Sequence, residues 1–478
     1  MLFRMVYDDK LAEAAYLIGC QKSGEAIVID PERDIDRYLS LAAKEGVKIV
    51  AVAETHIHAD FLSGARELAE MVGARVYVSD EGDADWKYQW LDKKSGGGAY
   101  DHRLLKHNDS FRVGNIEFRV VHTPGHTPEH ISFLVTDLGG GATEPMGIAT
   151  GDFLFVGDLG RPDLLESAAG IAGMADPSAK RLFASVKALD SLPDWLQVWP
   201  AHGSGSACGK ALGAVPQSTI GYEKRFNPAV RAATSEGDFV KYILEGQPEP
   251  PLYFARMKRD NKLGPRILGE LPELRALPAE ELKTIDARKV ALVDTRPWDA
   301  FRKGHIAGSL FHPLNNTFPT DVGSMVGEGE PVYLIIEPAR VEEAVRALVR
   351  IGYDDIRGFF EPATLDRFVE SGGKLVSTPE VAAKDAMALV EDPGMFLLDV
   401  RRAAEFAGGK IGNASNIAHT RLLSRMAEVP KEKPVLVNCL SGGRSARACA
   451  LLEKHGYQVT NLGGGITAWQ RAHPPVNR

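Results

Sequence analysis

Ala291-Leu292-Val293-Asp294-Thr295-Arg296 has a counterpart 105 residues further on, Leu397-Leu398-Asp399-Val400-Arg401. The same offset carries Phe301 to Phe406, and Gly304-His305-Ile306-Ala307-Gly308-Ser309 to Gly409-Lys410-Ile411-Gly412-Asn413-Ala414. Further along, Pro331-Val332-Tyr333-Leu334 pairs with Pro434-Val435-Leu436-Val437, and Ile351-Gly352-Tyr353 with His455-Gly456-Tyr457. A recurrence of this length is too long for a solenoid unit and matches one small duplicated α/β domain. Ahead of it, short apolar runs such as Ala26-Ile27-Val28-Ile29 and Val47 to Val52 alternate with helical stretches such as Asp36 to Glu45. A boundary is expected near residue 268, after the Pro-rich Gly246-Gln247-Pro248-Glu249-Pro250-Pro251 and before Leu271-Pro272. The 478 residues fit roughly three domains at about 150 residues each.

Charge and cysteine content narrow the function. The net charge is −8, with no Lys/Arg block, which argues against a phosphate-tracking nucleic-acid protein. Four cysteines, Cys20, Cys208, Cys439 and Cys449, cannot make a disulfide scaffold and fit a reducing compartment. The start of the chain turns acidic at Asp8-Asp9, unlike a signal peptide, and no run approaches the roughly 18 apolar residues of a membrane span. A cytoplasmic protein without membrane partners is expected.

Four His/Asp clusters each follow an apolar run: Glu54-Thr55-His56-Ile57-His58-Ala59-Asp60-Phe61, Val121-His122-Thr123-Pro124-Gly125-His126, Ile148-Ala149-Thr150-Gly151-Asp152, and Val198-Trp199-Pro200-Ala201-His202. Five of the 13 histidines sit at these strand ends, so side chains from separate strands are placed to converge on a metal. One such cluster is ordinarily a hydrogen-bonded core residue; four in succession make coincidence a poor explanation. The pattern resembles the metallo-β-lactamase superfamily over residues 1–268, which implies an αββα sandwich with metal at the strand ends. Two-metal hydrolases of that superfamily carry a further His directly after the Asp, where this chain has Phe61. What remains resembles the persulfide dioxygenase branch, implying one Fe(II) per chain held by His56, His126 and Asp152, a facial set that suits non-haem iron. Zinc is less suited but not excluded by ligand type. Asp158 rivals Asp152, which is preferred because it ends the apolar run directly. The resemblance further implies substrate binding by Arg161 and supporting roles for His58, Asp60 and His202, with His122 and His130 structural. Cys208 is either an accessory thiol near the substrate or a buried loop cysteine, and Cys20 reads as structural.

In the second copy of the repeat, the strand Val435-Leu436-Val437-Asn438 runs into Cys439-Leu440-Ser441-Gly442-Gly443-Arg444-Ser445, and a helix begins at Ala446. Backbone N–H groups at such a turn, with Arg444, favour a thiolate and hold an anionic terminal sulfur. Cys449, between Ala448 and Ala450, reads instead as a small core residue. The loop resembles that of an active rhodanese, with Cys439 and Arg444 catalytic and Gly442, Gly443 and Ser445 binding substrate; Asp399 and Arg401 extend the match. From Cys439 to Arg444 it is one residue shorter than the ring of the Cys-dependent phosphatases, which favours sulfur over phosphate. The first copy has Leu334-Ile335-Ile336-Glu337-Pro338-Ala339-Arg340 there, with no cysteine.

Taken together, the order resembles the bacterial persulfide dioxygenase–sulfurtransferase fusions of sulfide detoxification. It implies a dioxygenase domain at 1–268, an inactive rhodanese homology domain at 269–376 and an active rhodanese domain at 377–478, the last two with parallel sheets. The expected partners are a thiol persulfide, O2 and sulfite or thiosulfate, in a homo-oligomer. The alternative is a dinuclear zinc thioester hydrolase resembling glyoxalase II, with a separate sulfurtransferase domain.

Overall fold

Several strands of the first 200 residues are apolar on both faces, so each must be covered on both sides. In the computed structural model, which describes residues 1–168, 170 and 172–474, they are. The described chain divides into two compact units, residues 1–271 with 349–352, and residues 272–348 with 353–474.

The first unit contains two six-stranded sheets face to face. One sheet runs in chain order: Leu2–Asp8, Glu13–Cys20, Glu25–Ile29, Lys48–Ala53, Arg75–Ser79 and His102–Leu105. Its first three strands pair antiparallel, and the last four pair parallel. The other sheet has the order Ser218–Thr219, Gln197–Pro200, Gly147–Gly151, Ile131–Asp137, Ile116–His122, Ser110–Val113. Period-two alternation explains the layering. Ile27, Ile29, Ala51, Tyr77, Phe133, Val135 and Ala149 point into one core between the sheets. Their neighbours Val28, Val52, Val76 and Val78 pack outward with Tyr38, Ala65 and Leu68 of the helices Asp36–Lys44 and Ala65–Val72. On the opposite side, Leu134, Ile148 and Val198 meet Leu182, Val186 and Phe239 of the helices Ala175–Ala188 and Glu236–Leu244. This is the expected αββα sandwich.

The second unit holds two wholly parallel sheets. The first copy of the repeat orders its strands Leu310–Phe311, Ala291–Asp294, Val332–Ile335, Ile356–Phe360. The second copy orders them Ser415–Asn416, Phe396–Asp399, Val435–Asn438, Val459–Gly463 and adds Glu380–Ala382. In the first copy that fifth strand shrinks to a single parallel bridge, Ala276 to Phe359. The repeat extends to register: Val293 faces Leu310 as Leu398 faces Ser415. No helix among the described residues is long and apolar enough to cross a membrane.

Candidate functional site

His56 lies just beyond the strand Lys48–Ala53, while His126, Asp152 and His202 lie beyond three strands of the opposite sheet that all point the same way. The donor atoms of His56, His126 and Asp152 fall within 4.8 Å of one another, and His126 Nε2 is 3.5 Å from Asp152 Oδ2. All three are buried. Asp152 reaches the site because Gly151 takes φ +49° and packs its Cα against Thr55 and His130, where any Cβ would lie 2.5 Å from the Thr55 hydroxyl. Asp158, the rival, spends its carboxylate on the backbone N–H groups of Leu159, Lys210 and Ala211 and stays outside the group.

Each imidazole is fixed from its far side. His56 Nδ1 contacts Thr55 Oγ1 at 2.9 Å, and that hydroxyl donates to Asp30 Oδ2 at 2.9 Å. His126 Nδ1 meets the Arg161 carbonyl at 3.1 Å. Burial, followed by the neighbouring His58, pushes the His56 pKa well down, and burial lowers that of His126 against the pull of Asp152. Burial would raise the Asp152 pKa, but His202 and His126 hold it well below the usual carboxylate range. Two neutral imidazoles and one carboxylate are therefore presented together, the protonation states that a divalent cation requires. His130 is structural: its Nε2 accepts the Asp152 N–H and its Nδ1 meets Thr123.

A second buried group adjoins the first. Donor atoms of Asp60, His202 and Cys208 also lie within 4.8 Å of one another. His202 Nε2 is 3.2 Å from Asp60 Oδ2 and 3.3 Å from Asp152 Oδ1, and Glu13 closes on its Nδ1 at 3.1 Å. Burial would lower the His202 pKa, but Asp152, Glu13, Cys208 and Asp60 prevail and hold it well above the usual imidazole value. Burial, and then Asp60, push the Cys208 thiol well up, so it is protonated at neutral pH. His58, also expected to support the metal set, packs on His56 with ring centroids 4.3 Å apart, contacts Asp30 through Nε2 at 3.1 Å, and stacks on Phe61 with centroids 4.4 Å apart. The Arg161 guanidinium, expected to bind substrate, is engaged by protein groups. It forks onto Asp163 at 2.9 and 2.7 Å and donates to the Ala207 carbonyl in the Cys208 loop. A cavity of about 320 Å3 lined by Met5, Tyr7, Ala14, Pro200 and Ser204 reaches the imidazole of His202.

Three working residues escaped the sequence reading. Asp30 orients His56 through the Thr55 hydroxyl, and Glu13 faces His202 Nδ1, whose hydrogen bond goes to the Ala12 carbonyl at 3.1 Å. Asn261, from the helix Phe254–Leu263, donates to the carbonyls of His58 and Phe61 and accepts the Ser63 N–H, fixing the loop that carries Asp60. Only Asp30 left a signal, as the polar residue closing Ala26-Ile27-Val28-Ile29.

At the sulfur loop, Cys439 follows the strand Val435–Asn438, and the helix Gly443–Lys454 begins four residues later. Gly442 adopts φ +101°, which turns its N–H onto Cys439 Sγ at 3.1 Å; the Ser445 hydroxyl approaches the sulfur at 3.5 Å. Arg444 is held by Glu405 through two contacts of 2.7 Å. In the first copy, Ile336 stands at the thiol position, buried, with its N–H donating to the Phe360 carbonyl. Asp399 and Arg401 are a shared structural device: Arg401 forks onto Asp399 and reaches the Gly409 carbonyl at 2.7 Å, as Arg296 does with Asp294 and Gly304 at 2.8 Å.

Comparison with known proteins agrees with both halves. A profile of the metallo-beta-lactamase superfamily matches residues 9–202, and one of the rhodanese-like domain matches residues 382–472. The chain is similar to the crystal structure of a metallo-beta-lactamase from Staphylococcus aureus subsp. aureus COL, at 41% identity and TM-score 0.68, covering 76% of this chain and 99% of that one. Over 89 residues it is 42% identical to a sulfurtransferase of Allochromatium vinosum, covering 18% of this chain and 83% of the relative. Over 246 residues it is 27% identical to the mitochondrial persulfide dioxygenase ETHE1 of Mus musculus, covering 51% and 80%. The chain spans about half the length, 53%, of two further curated relatives.

Proposed function

Because this chain belongs to the metallo-β-lactamase superfamily and carries a rhodanese-like domain after it, we propose that it is a persulfide dioxygenase fused to a sulfurtransferase. Residues 1–268 form the dioxygenase, 269–376 an inactive rhodanese homology domain and 377–478 the active one. The observation that carries the reading is the convergence of His56, His126 and Asp152 on one point, with the apolar Phe61 packed against His58 beside it. That donor set would suit a non-haem ferrous ion. Iron bound there supplies the redox activation that lets dioxygen react with a sulfur atom.

The chain's own residues do the rest. Thr55 and Asp30 aim His56, and the Arg161 carbonyl aims His126. Asp60, His202 and Cys208 form the adjoining wall and set the charge around the reacting sulfur. The overall reaction is RSSH + O2 + H2O → RSH + SO3²⁻ + 2 H⁺. At the second site, the Cys439 thiolate attacks the outer sulfur of a second persulfide, breaking its S–S bond and releasing the thiol. Sulfite then takes that sulfur from Cys439–S–S⁻, giving thiosulfate and returning the thiolate. The N–H of Gly442, the Ser445 hydroxyl and the charge of Arg444 stabilise the anionic sulfur.

One observation favours a second reading. Asp60, His202 and Cys208, with Asp152 Oδ1, stand next to the first set and would serve a dinuclear zinc hydrolase once a second metal displaced the protons from His202 and Cys208. Metal analysis of anaerobically purified protein, with an oxygen electrode and persulfide, separates the two. About one iron per chain and sulfite formed mole for mole with oxygen support the dioxygenase. Stoichiometric zinc pairs with thioester hydrolysis and no oxygen uptake overturn it.

A further inference from the structure

We propose that the first copy of the repeat, which lacks the thiol, is the positioning frame of the Cys439 loop, acting through Asp321. The proposal rests on Cys439 being the sulfur acceptor.

The cradle around Cys439 is the N-terminal end of the helix Gly443–Lys454, so the placement of that helix sets the placement of the cradle. One side of the helix lies on its own sheet. The other meets the first copy, in an apolar seam of Phe301 and Phe311 against Ala446 and Ala450. Beside that seam, Arg447 Nε is 2.7 Å from Asp321 Oδ2, with both side chains buried. The same guanidinium returns through Nη1 to the Gly443 carbonyl at 2.9 Å, at the base of the cradle. The other oxygen of Asp321 contacts His419 Nε2 at 3.1 Å, and His419 belongs to the second copy. At the far end of the helix, Lys454 donates to the Val290 carbonyl of the first copy at 2.8 Å.

A buried ion pair is a poor choice for adhesion alone, since apolar residues of the same size hold two surfaces together as well. It adds register. Only one rotation and one height of the helix bring Arg447 onto Asp321 while Lys454 reaches the Val290 carbonyl, and the intrahelical contact of Arg447 with Gly443 carries that placement to the base of the cradle. Asp321 touches neither sulfur nor substrate; it positions the group that does.

The test uses the full-length protein with Asp321→Asn, which keeps the shape and removes the charge. The readout is the second-order rate of iodoacetamide labelling of Cys439, followed on its peptide by mass spectrometry, alongside thiosulfate formation and oxygen uptake. Labelling and the kcat of thiosulfate formation should fall about 10- to 100-fold, the range for a reacting group displaced by about an ångström, while KM and oxygen uptake stay within twofold. If Asp321→Asn does not fold, Arg447→Lys, which keeps the charge and loses the tie to Gly443, should show the same loss. Unchanged labelling in a folded variant overturns the proposal, as does an equal loss of oxygen uptake. Slower labelling in a protein whose wild type makes no thiosulfate upholds the frame and sinks the sulfurtransferase reading.

Discussion

A histidine offers a metal only the nitrogen that its other nitrogen leaves free, and which one that is depends on a neighbour. For His56 the neighbour is Thr55, whose hydroxyl is fixed by Asp30. Asp30 itself sits at φ +52°, a conformation Asp tolerates better than most residues. Asp30→Asn should therefore weaken metal binding about 10- to 100-fold, the usual cost of losing a partner that orients a ligand. Competition with a chromophoric chelator measures this, and wild-type affinity in the variant would show that the relay does not orient His56. The candidate ligands were legible in the sequence because each follows an apolar run. Glu13 and Asn261 were not. A carboxylate near the beginning of the chain and an amide 200 residues beyond the loop it holds carry no local mark of their partners.

Elements show the same division. Apolar residues at successive positions, as in Ile27-Val28-Ile29 and Phe133-Leu134-Val135, announced strands buried on both faces, and the two cores take alternate residues as the pleat requires. The Asp-x-Arg pairs were legible as a repeat, and their identical contacts in a copy with a thiol and in one without show that they brace the fold. The surroundings of His312, just past the strand Leu310–Phe311, were not legible. His312 is wholly buried, and burial, with Arg447, His419 and Lys454 nearby and Asp321 opposing, brings its pKa down to about 3. The folded state keeps it neutral, whereas the unfolded chain protonates it near pH 6.5. Its contribution to stability is thus complete above pH 6.5 and is lost as pH falls from there toward 3. Denaturant midpoints over that range should decline, and His312→Gln should flatten the decline; an unaltered slope would place the acid sensitivity elsewhere.

At the scale of the whole molecule, the proposed reading puts a centre that would release sulfite and a loop that would consume it on one chain, which would raise the effective concentration of the shared intermediate. Cys439→Ser should leave oxygen uptake at the wild-type rate while sulfite accumulates in place of thiosulfate, as ion chromatography of the products reveals. Loss of both activities would mean that one site performs the whole reaction. The duplication, the alternation that makes a two-sheet sandwich, the three strand-end donors and the single thiol loop can be read from linear order, because each motif is written in residues a few positions apart and the duplication repeats such motifs along the chain. Tertiary structure alone decided that Asp60, His202 and Cys208 gather beside those donors, that Arg161 pairs with Asp163, and that Asp321 of a thiol-free copy meets Arg447. Those contacts join residues distant in the chain, and their energy depends on burial, which a linear order of residues does not specify.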